Sequence, residues 1–201
     1  MNFIHLVSLS LLALNFSGRP VSNTSPVPVE RSVMVSVLSE PSADGNEMIP
    51  WAPTVRLNWE DFKCEPKLGT DAVASTSTSL GIAYQMVNGK LSYHISCNFS
   101  KNRSWGLMKT EYILAHEQGH FDITEIFARK LNEALQNYEF NRKTFKSDIN
   151  EIYQSIVAQK EQYQQQYDGE TDHSRNKRIQ YEWLDKIQTL LTETEVYATY
   201  P

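Results

Sequence analysis

The order of the hydrophobic patterns along the chain predicts an α+β fold. Short runs typical of β-strands occupy residues 54–59, 72–84 and 90–99, and from about residue 109 onward the apolar spacing becomes helical. Strands that precede helices, rather than alternating with them, indicate an α+β domain. The chain has 201 residues, of which 40% are hydrophobic, and this is enough for one such domain with a sizeable core.

The β-type runs predict a small N-terminal sheet. Asn88-Gly89 separates the last two runs, and this dipeptide favours a tight hairpin turn. Cys64 and Cys97 both lie in this region. In an oxidising compartment they could form a disulfide, and otherwise they are two buried free thiols, so the sequence leaves both possibilities open.

Three helices are predicted after the sheet, at 108–139, 144–166 and 175–195. Glycine and proline are almost absent there, and apolar residues recur at steps that place them on one helix face. These apolar residues are, in the second and third helices, Phe145, Ile149, Ile152, Ile156, Ile179, Trp183, Ile187 and Leu190.

The first 49 residues predict export. Residues 3–16 form an apolar run of about 14 residues, whereas a membrane-spanning helix needs roughly 20. Small and polar residues follow the run, as they do at the cleavage site of a signal peptide. We expect a signal peptide at 1–20, a flexible tether at 21–49 and the domain at 50–201. The mature form is then expected to have no transmembrane helix and a secreted or periplasmic location.

The net charge argues against nucleic acid as a partner. The chain has 19 basic and 24 acidic residues, which gives a formal net charge of −5 at pH 7. A nucleic-acid-binding surface requires an excess of positive charge. The 2 cysteines cannot build a cysteine-rich zinc module, so a metal site must use the 5 histidines and the carboxylates.

The pentapeptide His116-Glu117-Gln118-Gly119-His120 lies on the first predicted helix and has the spacing H-E-x-x-H. At about 100° per residue, the two histidines are only about 40° apart and can bind one ion. Glu117 projects beside them, where its carboxylate can take a proton from water. This arrangement is typical of a hydrolytic zinc site. The alternative is a pair of core histidines held by hydrogen bonds.

The opposite face of this helix carries charged residues. Glu125 and Arg129 are four residues apart, a spacing that places them on neighbouring turns. We expect them to form a surface ion pair.

A catalytic zinc needs a third protein ligand and one open position. The extended motif H-E-x-x-H-x-x-G-x-x-H is not present, because Ile123 and Ile126 occupy its glycine and its third histidine. We favour His173, which lies in the polar connection between the last two helices, where functional residues tend to concentrate. His94, in a predicted strand, is expected to be structural. The competing ligands are the downstream glutamates Glu133, Glu139 and Glu151.

The sequence resembles the bacterial family known as domain of unknown function 922, whose members are described as predicted secreted zinc-dependent proteases. The resemblance is carried by residues 57–62, 74–76, 104–105, 114–125, 128–130 and 167–173. It implies a zincin-like fold in which a small N-terminal sheet packs on the HExxH helix and two further helices follow. It also implies His116 and His120 as zinc ligands and Glu117 as the base, and it adds support for His173.

These observations predict an exported zinc-dependent metallopeptidase that acts on a peptide, a protein or a peptidoglycan peptide. The strand near 90–99 is expected to offer an edge to an extended substrate. Tyr167 or Tyr93 is expected to stabilise the oxyanion. The rival hypothesis is a non-catalytic exported domain in which zinc stabilises the fold, or the site is vestigial, and the surface binds cell-envelope partners.

Overall fold

The computed structural model confirms the α+β class, with a small sheet and three helices. It describes residues 35–37, 47–67, 69–70 and 72–201. The signal peptide predicted at 1–20 lies outside these residues, as does most of the tether predicted at 21–49.

The described residues contain six strands, three α-helices and three short 3₁₀ turns. The strands are β1 (Val35–Val37), β2 (Met48–Pro50), β3 (Ala74–Ser75), β4 (Thr78–Val87), β5 (Lys90–Ser100) and β6 (Trp105–Gly106). The helices are α1 (Glu111–Gln136), α2 (Phe145–Thr171) and α3 (Lys177–Glu193). The 3₁₀ turns are Trp59–Asp61, Lys101–Arg103 and Glu195–Tyr197. None of these helices is long and apolar enough to cross a bilayer.

A four-stranded antiparallel sheet is built on the hairpin of β4 and β5, in the order β1-β4-β5-β2. The predicted turn is confirmed, since Asn88 and Gly89 both have positive φ values, 51° and 75°. Two consecutive positive φ values define the turn that matches the twist of paired strands. The remaining strands, β3 and β6, pair as a separate two-stranded sheet.

β1 and the first two residues of β2 fall in the region where the tether is expected. β1 pairs with β4, and β2 pairs with the end of β5.

The strand expected at 54–59 does not form. The Leu57 N–H donates to the Gln118 side chain at 2.9 Å, and a 3₁₀ turn capped by Asn58 begins directly afterwards. The backbone here is bonded to a side chain and to its own turn instead of a neighbouring strand, although Leu57 is still buried.

Helix α1 lies at the centre of the domain and contacts β4, β5, α2 and α3. Its apolar residues are buried on more than one side, because Phe121, Ile123 and Ile126 are all fully inaccessible to solvent. The cysteines are both free thiols, and Cys97, on β5, is buried whereas Cys64 is half-buried.

The expectation of a surface ion pair between Glu125 and Arg129 is wrong, because both residues are buried, with 1% and 3% exposure. Arg129 Nε donates to Glu125 at 2.8 Å and Nη1 donates to the carbonyl of Leu191 at 2.6 Å. The Tyr200 hydroxyl donates to the other Glu125 oxygen at 2.7 Å. Helix α3 and the C-terminal residues therefore cover the charged face of α1, which periodicity alone assigns to solvent.

Breaking this buried pair is predicted to destabilise the protein strongly. Arg129→Ala leaves the Glu125 carboxylate buried without its partner, and we expect the free energy of unfolding to fall by about 3–5 kcal/mol. The control is Arg178→Ala, which removes an exposed pair with Glu182 at the same spacing, where side-chain exposure is 75% and 58%. That loss should be below about 1 kcal/mol in urea unfolding. Equal losses would contradict the buried role of Arg129.

Candidate metal centre

Helix α1 begins at a capped N-terminus, where Thr110 Oγ1 accepts from the Ile113 N–H at 3.2 Å. The motif follows one turn later, in the regular part of the helix. His116, Glu117 and His120 are all buried, at 3%, 4% and 8% exposure. The helix therefore presents two imidazoles and one carboxylate toward the protein interior and not toward bulk water.

Both imidazoles converge on one carboxylate of α2. His116 Nε2 lies 3.1 Å from Asp168 Oδ1, and His120 Nε2 lies 3.0 Å from the same oxygen. The ring centroids of the histidines are 4.9 Å apart and the rings are nearly perpendicular. One potential ligand atom from each of the three residues lies within 4.8 Å of the other two.

The spacing and chemistry of this group fit a zinc ion. Zinc bonds to nitrogen and oxygen of about 2.0–2.1 Å in a tetrahedral arrangement place neighbouring ligand atoms about 3.3 Å apart. The distances of 3.0 and 3.1 Å are close to that value. Imidazole nitrogen and carboxylate oxygen are also ligand types that zinc accepts.

The charges of the group also favour a cation. Burial acts to raise the pKa of Asp168, but hydrogen bonds from His116 and His120 outweigh it and hold this pKa well below its usual range. Burial acts to lower the pKa of His120, but the hydrogen bond and charge of Asp168, followed by the charge of Glu117, raise it overall. The negative charges of Asp168 and Glu117 thus favour a positive charge at His120.

Glu117 has an oxygen without a protein partner. Its Oε2 is buried and makes no hydrogen bond, as is also true of His116 Nδ1. An unpaired buried acceptor is costly, so it is expected to be satisfied by a bound molecule. Glu117 also lines the cavity that the three ligand candidates enclose.

The cavity at this site has a volume of about 270 Å³. One wall is formed by residues 72–76, which include β3, and another by α2 through Glu161, Gln164 and Gln165. His173 and Ser174 lie at the end where α2 stops. The site is thus a cleft between α1, α2 and the smaller sheet.

His173 is near the group but is not a member of it. Its Nδ1 lies 3.7 Å from Asp168 Oδ1, and its side chain is 48% exposed. Asp172, His173 and Ser174 all have positive φ values, of 50°, 49° and 71°. A run of non-glycine residues in this conformation is strained, which is typical of functional turns. A ligand role for His173 stays a prediction.

Asp168 is the site residue that sequence reasoning missed. It lies within the segment 167–173 that carries the resemblance, but the second helix is predicted to end at residue 166, which places Asp168 in the polar connection beside His173. Because α2 extends to Thr171, Asp168 is helical and faces α1.

The competing ligands do not line the cavity. Glu133 lies more than four turns along α1 from His116, Glu139 follows α1, and Glu151 lines a separate groove beside Asp148. His94 is exposed on β5 and does not line the cavity.

The two tyrosines expected at the oxyanion do not line the cavity either. Tyr93 donates its hydroxyl to Asn132 at 2.8 Å. Tyr167 is fully buried and stacks on the His116 ring with centroids 4.4 Å apart, while its hydroxyl donates to the His116 carbonyl at 3.3 Å. Burial raises the pKa of Tyr167 far above its usual range, so it is a neutral packing residue behind the site.

The fold and the site together define an α+β protein in which two buried histidines and the partly exposed Asp168 form one group beside a glutamate with an unpaired oxygen. The chain belongs to the family described as bacterial protein of unknown function (DUF922), whose model matches residues 39–174. No curated protein and no solved structure matches the chain. The family match includes the whole HExxH motif, Asp168 and His173.

The approach of α2 to α1 is predicted to depend on Gly119. A Cβ atom at this position would lie 2.6 Å from the Tyr167 hydroxyl. Gly119→Ala improves helix propensity, but it forces Tyr167 to move, and we expect a net loss of about 1–3 kcal/mol. Gly169→Ala is the control, since nothing lies within 4 Å of its Cβ, and it should gain roughly 0.5–1 kcal/mol.

Thermal unfolding followed by circular dichroism measures both changes. Gly119→Ala combined with Tyr167→Phe removes the nearest clashing atom and should recover part of the loss. Stabilisation by Gly119→Ala alone would show that this helix contact is not tight.

Proposed function

We propose that the chain is an exported zinc-dependent metallopeptidase that hydrolyses amide bonds. The observation that carries the proposal is the convergence of His116, His120 and Asp168 beside the unpaired carboxylate oxygen of Glu117. Zinc sites of hydrolases combine three protein ligands with a carboxylate that acts as base. The proposed fold is zincin-like, with the HExxH helix lying on the sheet.

In this proposal His116, His120 and Asp168 hold zinc. His173 is the alternative third ligand, and its distance of 3.7 Å from Asp168 keeps it within reach after a small movement. Zinc at this site would act as a Lewis acid toward the carbonyl of the scissile bond. Glu117 would take a proton from the attacking water and return it to the leaving nitrogen.

The proposed substrate is a peptide, a protein or a peptidoglycan peptide. Residues 72–76 form a cavity wall, and β3 is an outer strand of a two-stranded sheet, so it is the better candidate for binding an extended chain. The strand at 90–99 is less suitable, because β5 lies between β4 and β2 and the Ile95 N–H donates to the Pro201 carbonyl at 2.9 Å.

The proposed location is secreted or periplasmic. It rests on the apolar run at 3–16, which is too short for a membrane span, and on the small and polar residues that follow it.

A second candidate function is a non-catalytic, zinc-stabilised or vestigial domain that binds cell-envelope partners. The observation that favours it is the presence of four potential metal ligands, because His173 lies beside the group of His116, His120 and Asp168. Four protein ligands complete a tetrahedral zinc site and leave no position for water or substrate. Hydrolysis that is lost on substitution of Glu117 separates the two functions, because a non-catalytic domain has no such activity to lose.

Glu117→Gln is predicted to abolish hydrolysis while zinc stays bound. The amide cannot act as a base, so cleavage of a quenched fluorescent peptide library should fall by at least about 100-fold. Zinc content, measured by elemental analysis, should remain at one ion per chain. Glu161→Gln is the control, since this carboxylate also lines the cavity but is 56% exposed. Wild-type protein without zinc after reconstitution would overturn the proposal.

Asp168→Ala is predicted to weaken zinc binding more than His173→Ala does. Removal of a direct ligand should lower the affinity by at least about 100-fold, whereas removal of a neighbour should lower it less. Competition with a chromophoric chelator measures both affinities. The reverse order would assign the third ligand to His173.

A further inference from the structure

We infer that Gln164 is a positioning residue that holds His120 in the one tautomer able to bind a metal. This inference deepens the proposed metal site and rests on it. Gln164 lies on α2, one turn before Asp168, and lines the same cavity. One helix therefore presents both a candidate ligand and the residue that orients another.

Gln164 contacts His120 on the side of the ring opposite the metal group. His120 Nδ1 lies in hydrogen-bond contact with Gln164 Oε1 at 2.5 Å, while Nε2 faces Asp168. The Gln164 Nε2 atom lies 3.1 Å from Thr124 Oγ1 and 3.5 Å from the His120 carbonyl. Both ends of the amide are thus engaged by residues of α1.

The direction of these bonds follows from Thr124, which is fully buried. Its hydroxyl has one proton and donates it to the His120 carbonyl at 3.0 Å. Thr124 Oγ1 must then accept its other bonds, from Gln164 Nε2 and from the Thr78 hydroxyl at 2.7 Å. Because the amide nitrogen of Gln164 faces Thr124, its oxygen faces His120.

An amide oxygen only accepts hydrogen bonds, so the proton of neutral His120 must be on Nδ1. The lone pair of Nε2 is then directed at Asp168 Oδ1, which lies 3.0 Å away. Two acceptors at this distance repel each other unless a proton or a metal ion lies between them. The series of hydrogen bonds from Thr78 through Thr124 and Gln164 to His120 therefore leaves the Nε2 lone pair of His120 available to a metal.

Without Gln164, His120 is free to adopt the other tautomer. Its Nε2 would then carry the proton and donate it to Asp168, and this hydrogen bond would compete with a metal for both residues. His116 has no such orienting partner, since its Nδ1 makes no hydrogen bond and its ring is held by stacking on Tyr167. The two histidines of the motif are thus held by different means.

The test compares Gln164→Met, Gln164→Glu and the control Gln165→Met in the full chain. Methionine has a similar length but cannot accept this bond, whereas glutamate keeps an acceptor toward Nδ1. Gln165 is an exposed neighbour that lines the same cavity. Zinc affinity is measured by chelator competition, and the imidazole tautomers are measured by long-range proton–nitrogen NMR of the metal-free protein.

We expect Gln164→Met to lower zinc affinity by about 10–100-fold and to move the His120 proton away from Nδ1. Gln164→Glu should keep the Nδ1–H tautomer and most of the affinity, and Gln165→Met should resemble the wild type. The inference is overturned if Gln164→Met keeps wild-type affinity and tautomer, or if Gln164→Glu is as impaired as Gln164→Met.

Two further measurements keep the test decisive. If Gln164→Met does not fold, Thr124→Val replaces it, because this near-isosteric change frees the amide to turn and should also redistribute the His120 tautomers. If the wild-type chain binds no zinc, the proposed function fails, but the tautomer of metal-free His120 still decides the role of Gln164. An unchanged tautomer in both variants rejects that role.

Discussion

The close packing of α2 on α1 is the constraint on which the whole site depends. The HExxH motif can place two imidazoles side by side through helix geometry alone, but their common partner comes from another helix, 48 and 52 residues further along the chain. Gly119 sets how near that helix can come, because the fully buried Tyr167 occupies the space a side chain would need. Tyr167 and Asp168 are adjacent, so the contact that fixes the helix spacing also delivers the carboxylate.

The same packing brings polar groups together in a largely buried place, where the loss of hydration is unfavourable. Buried carboxylates and imidazoles are tolerated when each finds a partner. Asp168 contacts the Nε2 atoms of both histidines, and Gln164 makes hydrogen bonds to both His120 and Thr124. Glu117 is the member whose free oxygen the protein does not satisfy. His116 Nδ1 is also buried without a partner, so the cluster differs from a polar core in which every group is paired.

Sequence reasoning succeeded where the determining forces are local. The hairpin at Asn88-Gly89, the order of strands before helices and the alignment of His116 with His120 all follow from turn chemistry or periodicity. It was incomplete where distant segments decide the outcome. Asp168 becomes a candidate ligand only through the crossing of α2 over α1, and Glu125 becomes buried only because the C-terminal residues reach back over it. The absent strand at 54–59 has the same origin, since its backbone is bonded by a side chain of α1.

The buried ion pair on the far side of α1 has a consequence for the whole helix. Glu125 and Arg129 are tied to α3 and to the C-terminal residues, while His116 and His120 are tied to α2. These two sets of hydrogen bonds hold opposite faces of α1, and together they fix the rotation of the helix about its own axis. Inserting or deleting one residue between His120 and Glu125 would turn one set by about 100° relative to the other. The five-residue interval from His120 to Glu125 therefore has a fixed length, because any change would separate either the His-His-Asp group or the buried ion pair from its partners.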